Sequence, residues 1–358
     1  MKTLNKKMRT PIEILNIVGA GGIDPGSAVE AWGANSAGKS TFCYETMEMQ
    51  LEDKGENAMC LILDSECSFN PLRARSVFNI RPCNLPEGMV KDPDPRVFVE
   101  PAMTIEAVAK TIVTYIAKAN SEKKQLLVIW DSVSVTGTEK DNAAFIEAIE
   151  KNKEVNTFSA GMMLRPRVIK EQLRNVMLSL YMTPHVILLI NQAVVSIGQF
   201  ISKDDSAGGH SLKHNMLYRL SFKKVGTIES EYKQPIATIT NFEIVKSKNT
   251  PTLKKQEQLI WDTLGGKYDK RWGVFMEAEK MGIYKKDRTC KFSDEVIARY
   301  STVKDIGDKK LEKTFMKNDE FFEICKKEIT DYYRKTFFMV ECEYKELEED
   351  KEIQNLKK

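Results

Sequence analysis

Gly33-Ala34-Asn35-Ser36-Ala37-Gly38-Lys39-Ser40-Thr41 fits the phosphate-binding pattern G-x-x-x-x-G-K-[ST]. A strand-like apolar run at 28–32 precedes it and a helix-like run at 42–51 follows, which is the setting the pattern requires. The residue types follow from the chemistry. Glycines let backbone N–H groups close around phosphate oxygens, and the helix beyond presents unpaired donors and the positive end of its dipole. Lys39 is placed to reach the β- and γ-phosphates, and the Ser40 hydroxyl to ligate magnesium. Gly33, Ala34, Asn35, Ser36, Ala37, Gly38, Lys39, Ser40 and Thr41 therefore form a candidate nucleotide cradle.

Outward from this loop, residues 28 to about 190 alternate short apolar runs with longer helical patterns, the signature of parallel strands joined by helical crossovers. Strands are expected at 28–32, 58–63, 97–100, 126–130 and 185–190, and helices at 39–51, 71–78, 105–119, 145–151 and 167–181. Beyond residue 215 the segments 217–224, 236–246 and 256–261 alternate in polarity and predict an antiparallel extension of the sheet. Leu264-Gly265-Gly266 reads as a boundary, followed by a smaller, charged and mostly helical region. The fold class is α/β. The division is a short N-terminal segment (1–10), a core (11–264), a C-terminal domain (265–340) and a charged tail (341–358).

Composition bounds the rest. The 358 residues are 42% hydrophobic and 29% charged, which suits a water-soluble globular chain rather than a membrane protein. No apolar stretch approaches bilayer length and the start lacks a signal-peptide core, so a cytoplasmic protein without a membrane partner is expected. The seven cysteines show no C-x-x-C pair or ligand spacing and read as buried free thiols. A net charge of +3 does not by itself announce nucleic-acid binding.

Three further segments carry chemistry. Leu126-Leu127-Val128-Ile129-Trp130-Asp131 is an apolar strand ending in a carboxylate, and ligands of open α/β sheets lie beyond such ends. Asp131 either holds magnesium or caps the next helix. Asp64 and Glu66 end a second strand, and Glu66 either polarises an attacking water or is a solvated cap. Asn191-Gln192 ends a third, before the Gly/Ser/Asp-rich stretch 196–209, which is a functional loop reporting a terminal phosphate or a plain surface loop.

Together these segments resemble the RecA/UvsX family of DNA strand-exchange ATPases, over residues 11 to 262. Gly21-Gly22-Ile23-Asp24-Pro25-Gly26-Ser27 is similar to the family's lead-in to the phosphate loop. Asp64-Ser65-Glu66-Cys67-Ser68-Phe69-Asn70-Pro71 is similar to the segment bearing its catalytic glutamate, which Glu66 matches. Val128-Ile129-Trp130-Asp131-Ser132-Val133 resembles the Walker B strand, and Leu189-Ile190-Asn191-Gln192 the strand whose Gln couples γ-phosphate to the second DNA-binding loop. Residues 197–198 and 208–213 resemble landmarks of that second loop, and 156–163 the first loop with its methionines.

The resemblance implies ATP and Mg2+ as cofactors, Ser40 and Asp131 as metal ligands, and DNA recombination and repair as the activity. Single-stranded DNA, duplex DNA as homologous target and a helical filament of like subunits are the implied partners. Met162, Met163, Arg165, Ile197, Gly198, Lys203, Gly208 and Gly209 are the implied DNA contacts; without the resemblance a Met-rich loop reads as packing. Lys246 and Lys248 resemble a lysine pair that reaches the neighbour's ATP. Arg73 stands where the family has an adenine-stacking aromatic, and a guanidinium can also stack. Residues 1–10 are shorter than the family's N-terminal assembly module, and the tail is weakly similar to the C-terminal domain of RecA and UvsX. A ring-forming motor of the same fold and a non-filamenting accessory protein are the rival readings.

Overall fold

The apolar runs become central strands because alternate residues of each face opposite helical layers. In β4 (Gln125–Asp131), Leu127 and Ile129 join a buried cluster with Phe42 and Met47, while Leu126, Val128 and Trp130 join another with Ile112 and Leu173. A strand buried on both faces needs a continuous apolar sequence. The computed structural model describes residues 7–151, 161–195, 204–262, 266–286, 290–300 and 318–337.

The other core strands are β1 (Ser27–Gly33), β2 (Ala58–Asp64), β3 (Val97–Pro101) and β5 (Val186–Val195). The extension comprises β6 (Asp204–Ser206), β7 (Tyr218–Glu229), β8 (Pro235–Ser247), β9 (Leu253–Trp261) and β10 (Lys267–Tyr268). The described strands of this sheet run β10-β9-β8-β7-β1-β5-β4-β2-β3, with β6 paired to β5. Pairing is parallel from β7 through β3 and antiparallel among β7, β8, β9 and β10. On one face lie α1 (Glu13–Val18) and α2 (Lys39–Lys54), and on the other α4 (Ile105–Ser121), α6 (Gly161–Leu180) and α7 (Gly209–Asn215); α3 (Pro71–Phe78) follows β2.

Four boundaries differ from the sequence reading. The helix expected at 145–151 is α5 (Glu139–Glu150): Thr138 Oγ1 accepts from Asp141 N and the Asp141 carboxylate accepts from Thr138 N, a capping box that sets the start earlier. None of its residues is buried, and Phe145, Ile146 and Ile149 are exposed. Helix α6 begins at Gly161 rather than 167, because Pro166 is accommodated inside it at the loss of one backbone bond. Strand β5 continues past Asn191-Gln192, since those residues pair with Trp32 and Gly33 and the next three pair with β6. Residues 209–213, expected to belong to the second loop, lie in α7 (Gly209–Asn215).

The region after residue 266 holds α8 (Trp272–Lys280), a β11 (Tyr284–Lys286) and β12 (Cys290–Phe292) hairpin, α9 (Asp294–Arg299) and α10 (Asp319–Phe337). Its aromatic core includes Phe292 stacked on Phe321 at 4.2 Å between centroids. That core is continuous with Ile14, Leu15 and Val18 of α1, and Lys326 pairs with Glu13 at 2.7 Å. Of the five described thiols, Cys43, Cys60 and Cys325 are buried and Cys83 half-buried. Cys67 is exposed, contrary to expectation, because it follows Glu66 past the end of β2 rather than lying in an apolar run.

Candidate active site

Strand β1 ends at Gly33, where a Cβ would come within 2.0 Å of the Phe222 carbonyl oxygen, so glycine alone keeps β1 and β7 paired there. Gly38 takes φ 93°, a left-handed conformation that costs glycine little. Between them the chain turns into α2, which Lys39 opens. The buried Lys39 ammonium donates to the carbonyls of Gly33 (3.1 Å) and Ala34 (2.7 Å). Burial lowers its pKa, against the opposing charges of Asp131 and Glu66.

Ser40 Oγ donates to Asp131 Oδ2 at 3.3 Å. Burial, reinforced by the charge of Glu66, pushes the Asp131 carboxyl up to about 6, while the Ser40 bond and Lys39 oppose the shift. A hydroxyl and a carboxylate converging beside a phosphate loop are the hard oxygen donors that suit magnesium, and Ser40 and Asp131 are the residues that would hold it. Glu66 is exposed and accepts from Ser132 Oγ at 2.6 Å; Ser132 in turn lies 2.8 Å from Ser134 Oγ. The Asp131–Ser132 peptide is cis. The Trp130 indole N–H lies 2.9 Å from Thr136 Oγ1 and 3.2 Å from Ser65 Oγ, and Ser65 N donates to Asp131 O at 2.7 Å. These bonds tie the turn bearing Glu66 to the turn after β4. Asp64 is spent within its own turn, accepting from Ser68 N and Phe69 N.

The antiparallel strands brace the phosphate loop from the far side. Thr240 Oγ1 donates to Ala37 O and Tyr268 Oη to Gly38 O, both at 3.1 Å. A Cβ on Gly38 would meet Ile260 Cδ1 at 2.4 Å and Tyr268 Oη at 2.6 Å. Tyr268 N donates to the buried Glu45 carboxylate at 3.0 Å, and burial pushes that carboxyl up to about 7 against Tyr268 N–H, Lys267 and Lys270. Above the loop a cleft of 470 Å3 is lined also by Arg73, Thr238, Asp262 and Gly266. The Arg73 guanidinium lies 5.9 Å from the centre of the Phe78 ring.

Gln192 pairs opposite Gly33 in the register of β5 and β1, so it sits beside the phosphate loop. The family profile of the RecA N-terminal domain matches residues 6–265, which includes every element of this site up to Asp262. The chain belongs to the RecA family. It is 28% identical over 241 residues to Protein RecA of Blastochloris viridis, covering 67% of this chain and 60% of that protein. It is 27% identical over 271 residues to Protein RecA of Nitrobacter winogradskyi and of Rhizobium etli, covering 75% of this chain and 65% of each. The matches thus span less than two thirds of these RecA proteins.

Relative to the RecA-like expectations, Lys39, Ser40, Glu66, Asp131 and Gln192 are brought to the C-terminal edge of the parallel strands. Arg73 lines the same cleft. Lys246 is paired with Arg219 at the other end of β7; its ammonium donates to the carbonyls of Lys213 (2.5 Å) and His214 (3.1 Å), and burial lowers its pKa. Lys248 follows β8, its N–H donating to Leu217 O at 3.2 Å. Gly208 and Gly209 begin α7 with positive φ. The Arg165 guanidinium is turned inward and bonds the Val133 carbonyl. Met162 and Met163 fall in the first turn of α6, and their side chains lie outside the described residues, as do Ile197, Gly198 and Lys203.

Sequence reasoning did not single out Ser132, Thr240 or Tyr268 for the site. The hydroxyl of Ser132 was visible beside Asp131, but nothing in the linear pattern signals that a tyrosine 230 residues from Gly38 closes over it. No described helix is long and apolar enough to cross a membrane.

Proposed function

We propose that this protein is an ATP-dependent DNA recombinase, one that binds single-stranded DNA, pairs it with homologous duplex and hydrolyses ATP. The observation that carries the reading is the meeting of Lys39, Ser40, Asp131, Glu66 and Gln192, from four separate chain segments, at one sheet edge. In this reading the loop amides and Lys39 bind the phosphates, and Arg73 packs on the base. Ser40 and Asp131 would hold magnesium, which when bound would supply charge neutralisation to the phosphates. Glu66, aimed by Ser132, orients and polarises the water that attacks the γ-phosphorus. Gln192 bonds the γ-phosphate and passes its presence to the DNA-binding loop that follows β5, with loop one at 156–163 as its companion.

Assembly has support in the placement of Lys246 and Lys248 away from the phosphate loop: Lys246 pairs with Arg219, three positions along β7 from the residue opposite Gly33, and Lys248 lies beyond the end of β8. A head-to-tail contact between copies sets one subunit's lysines against the next subunit's site, and a contact of that kind continues into a filament. Two cations delivered in this way stabilise charge on the transferring phosphoryl group.

The test is steady-state ATP hydrolysis with and without single-stranded DNA, for the wild type, Lys39→Ala and Glu66→Gln, with electron microscopy of the same mixtures. DNA stimulation lost in both variants, together with helical filaments, supports the recombinase. Hydrolysis indifferent to DNA, or no assembly, refutes it.

A further inference from the structure

Glu30 lies in the middle of β1, fully buried, three residues before Gly33. A buried carboxylate persists where its charge and lone pairs are matched. Its Oε2 accepts from Arg219 Nε at 2.6 Å and its Oε1 from Asn191 Nδ2 at 2.8 Å. Arg219 is 8% exposed, and its Nη2 reaches the other way, donating to Ser206 Oγ at 2.9 Å and Asp205 Oδ1 at 3.2 Å. The guanidinium stands 5.6 Å from the centre of the Trp32 ring, on the residue adjoining the phosphate loop. Asn191 also donates to Ala207 O at 2.7 Å and accepts from Gln192 N at 2.9 Å. Both strands of the β5–β6 hairpin are therefore bonded, directly or through Arg219, to the strand that delivers the phosphate loop.

We infer that Arg219 is a positioning residue, which with Glu30 locks the β5–β6 hairpin and Gln192 to β1 so that nucleotide and DNA binding are felt at each other's sites. Apolar residues of like volume would fill this space at no desolvation cost, so the retained ion pair fixes register rather than adding stability. The planar fork of arginine reaches Glu30 and the Asp205-Ser206 pair at once; a lysine has one nitrogen and can serve only one side. The inference rests on the DNA-responsive reading above.

The test is a ratio: the affinity for a labelled oligothymidylate with a non-hydrolysable ATP analogue, divided by that with ADP. Wild type is compared with Arg219→Lys, alongside affinity for a fluorescent ATP analogue and the urea unfolding midpoint. The expected outcome is a ratio that falls about tenfold or to unity in Arg219→Lys, with ATP-analogue affinity held within about twofold. An unchanged ratio in folded Arg219→Lys overturns the inference. So does a fall in ATP-analogue affinity equal to the fall in DNA affinity, which marks a merely structural role. If Arg219→Lys does not fold, the double variant Glu30→Gln with Arg219→Gln, which leaves no buried charge in the pair, is read by the same criteria. A wild-type ratio of one refutes the proposed function itself, and is seen without any variant.

Discussion

Glu45 provides a pH signature for the brace on the phosphate loop. It is 3% exposed on α2, and burial raises its carboxyl from an ordinary 4.5 to about 7. Between those values the native carboxyl keeps a proton that the unfolded one has released, so the native state binds more protons and stability falls as pH rises. At about 1.4 kcal/mol per pKa unit the full shift is worth roughly 3 kcal/mol, most of which develops between pH 5 and pH 8. Glu45→Gln keeps an acceptor for Tyr268 N and removes the titration. The variant gains roughly 2–3 kcal/mol on the wild type between pH 5 and pH 8, which at roughly 3 kcal/mol/M is a relative shift of roughly 1 M in urea midpoint. The assay is urea unfolding followed by far-ultraviolet circular dichroism at both pH values. Other titrating groups are common to both proteins and cancel. A midpoint shift of equal size at pH 5 and pH 8 refutes the reasoning, because Glu45 is then in one protonation state throughout.

Glu66→Gln is expected to lower ATP turnover by about 10²- to 10⁴-fold, the usual worth of a general base, while titration with a fluorescent ATP analogue shows affinity retained. Gly38→Ala strains a left-handed backbone and drives a Cβ into Ile260 and Tyr268; a loss of about 1–3 kcal/mol in urea unfolding and a weakened ATP-analogue affinity are expected. His185 is fully buried, with Nδ1 accepting from Leu126 N and the other ring nitrogen at Asn120 Oδ1, and burial lowers its pKa to about 4. The unfolded ring takes up a proton below about 6.5 and the native ring does not, so stability falls as pH drops from 6.5 to 4. Unfolding of His185→Gln is expected to lack about 3 kcal/mol of that acid dependence.

The parallel strands and the phosphate loop were legible because both are local: an apolar run buried on two faces, and a glycine spacing with Lys39-Ser40 in register. Asp131, Glu66 and Gln192 were legible because each follows such a run. What was hidden is non-local. The start of α5 depends on a reciprocal pair of bonds between Thr138 and Asp141, and the continuation of β5 through Gln192 depends on β1 and β6 lying beside it. The helix expected at 167–181 starts at Gly161, with Pro166 inside it, because α6 packs against α4 and α7 and one lost backbone bond does not outweigh that packing. Asp64 looked like a second site carboxylate and instead holds the turn that presents Glu66. The role of Arg219 has no linear signature, since its partners are spread from residue 30 to residue 206.

The tyrosine over the phosphate loop sets an order of events during synthesis. Gly38 and Tyr268 are 230 residues apart, and a ribosome adding about 5–20 residues per second takes roughly 10–50 s to cover that distance. Through that interval the nascent chain carries a complete G-x-x-x-x-G-K-[ST] sequence without the hydroxyl that donates to the carbonyl of its turn. A chain that ended before β10 would therefore carry the loop without the tyrosine that braces its turn.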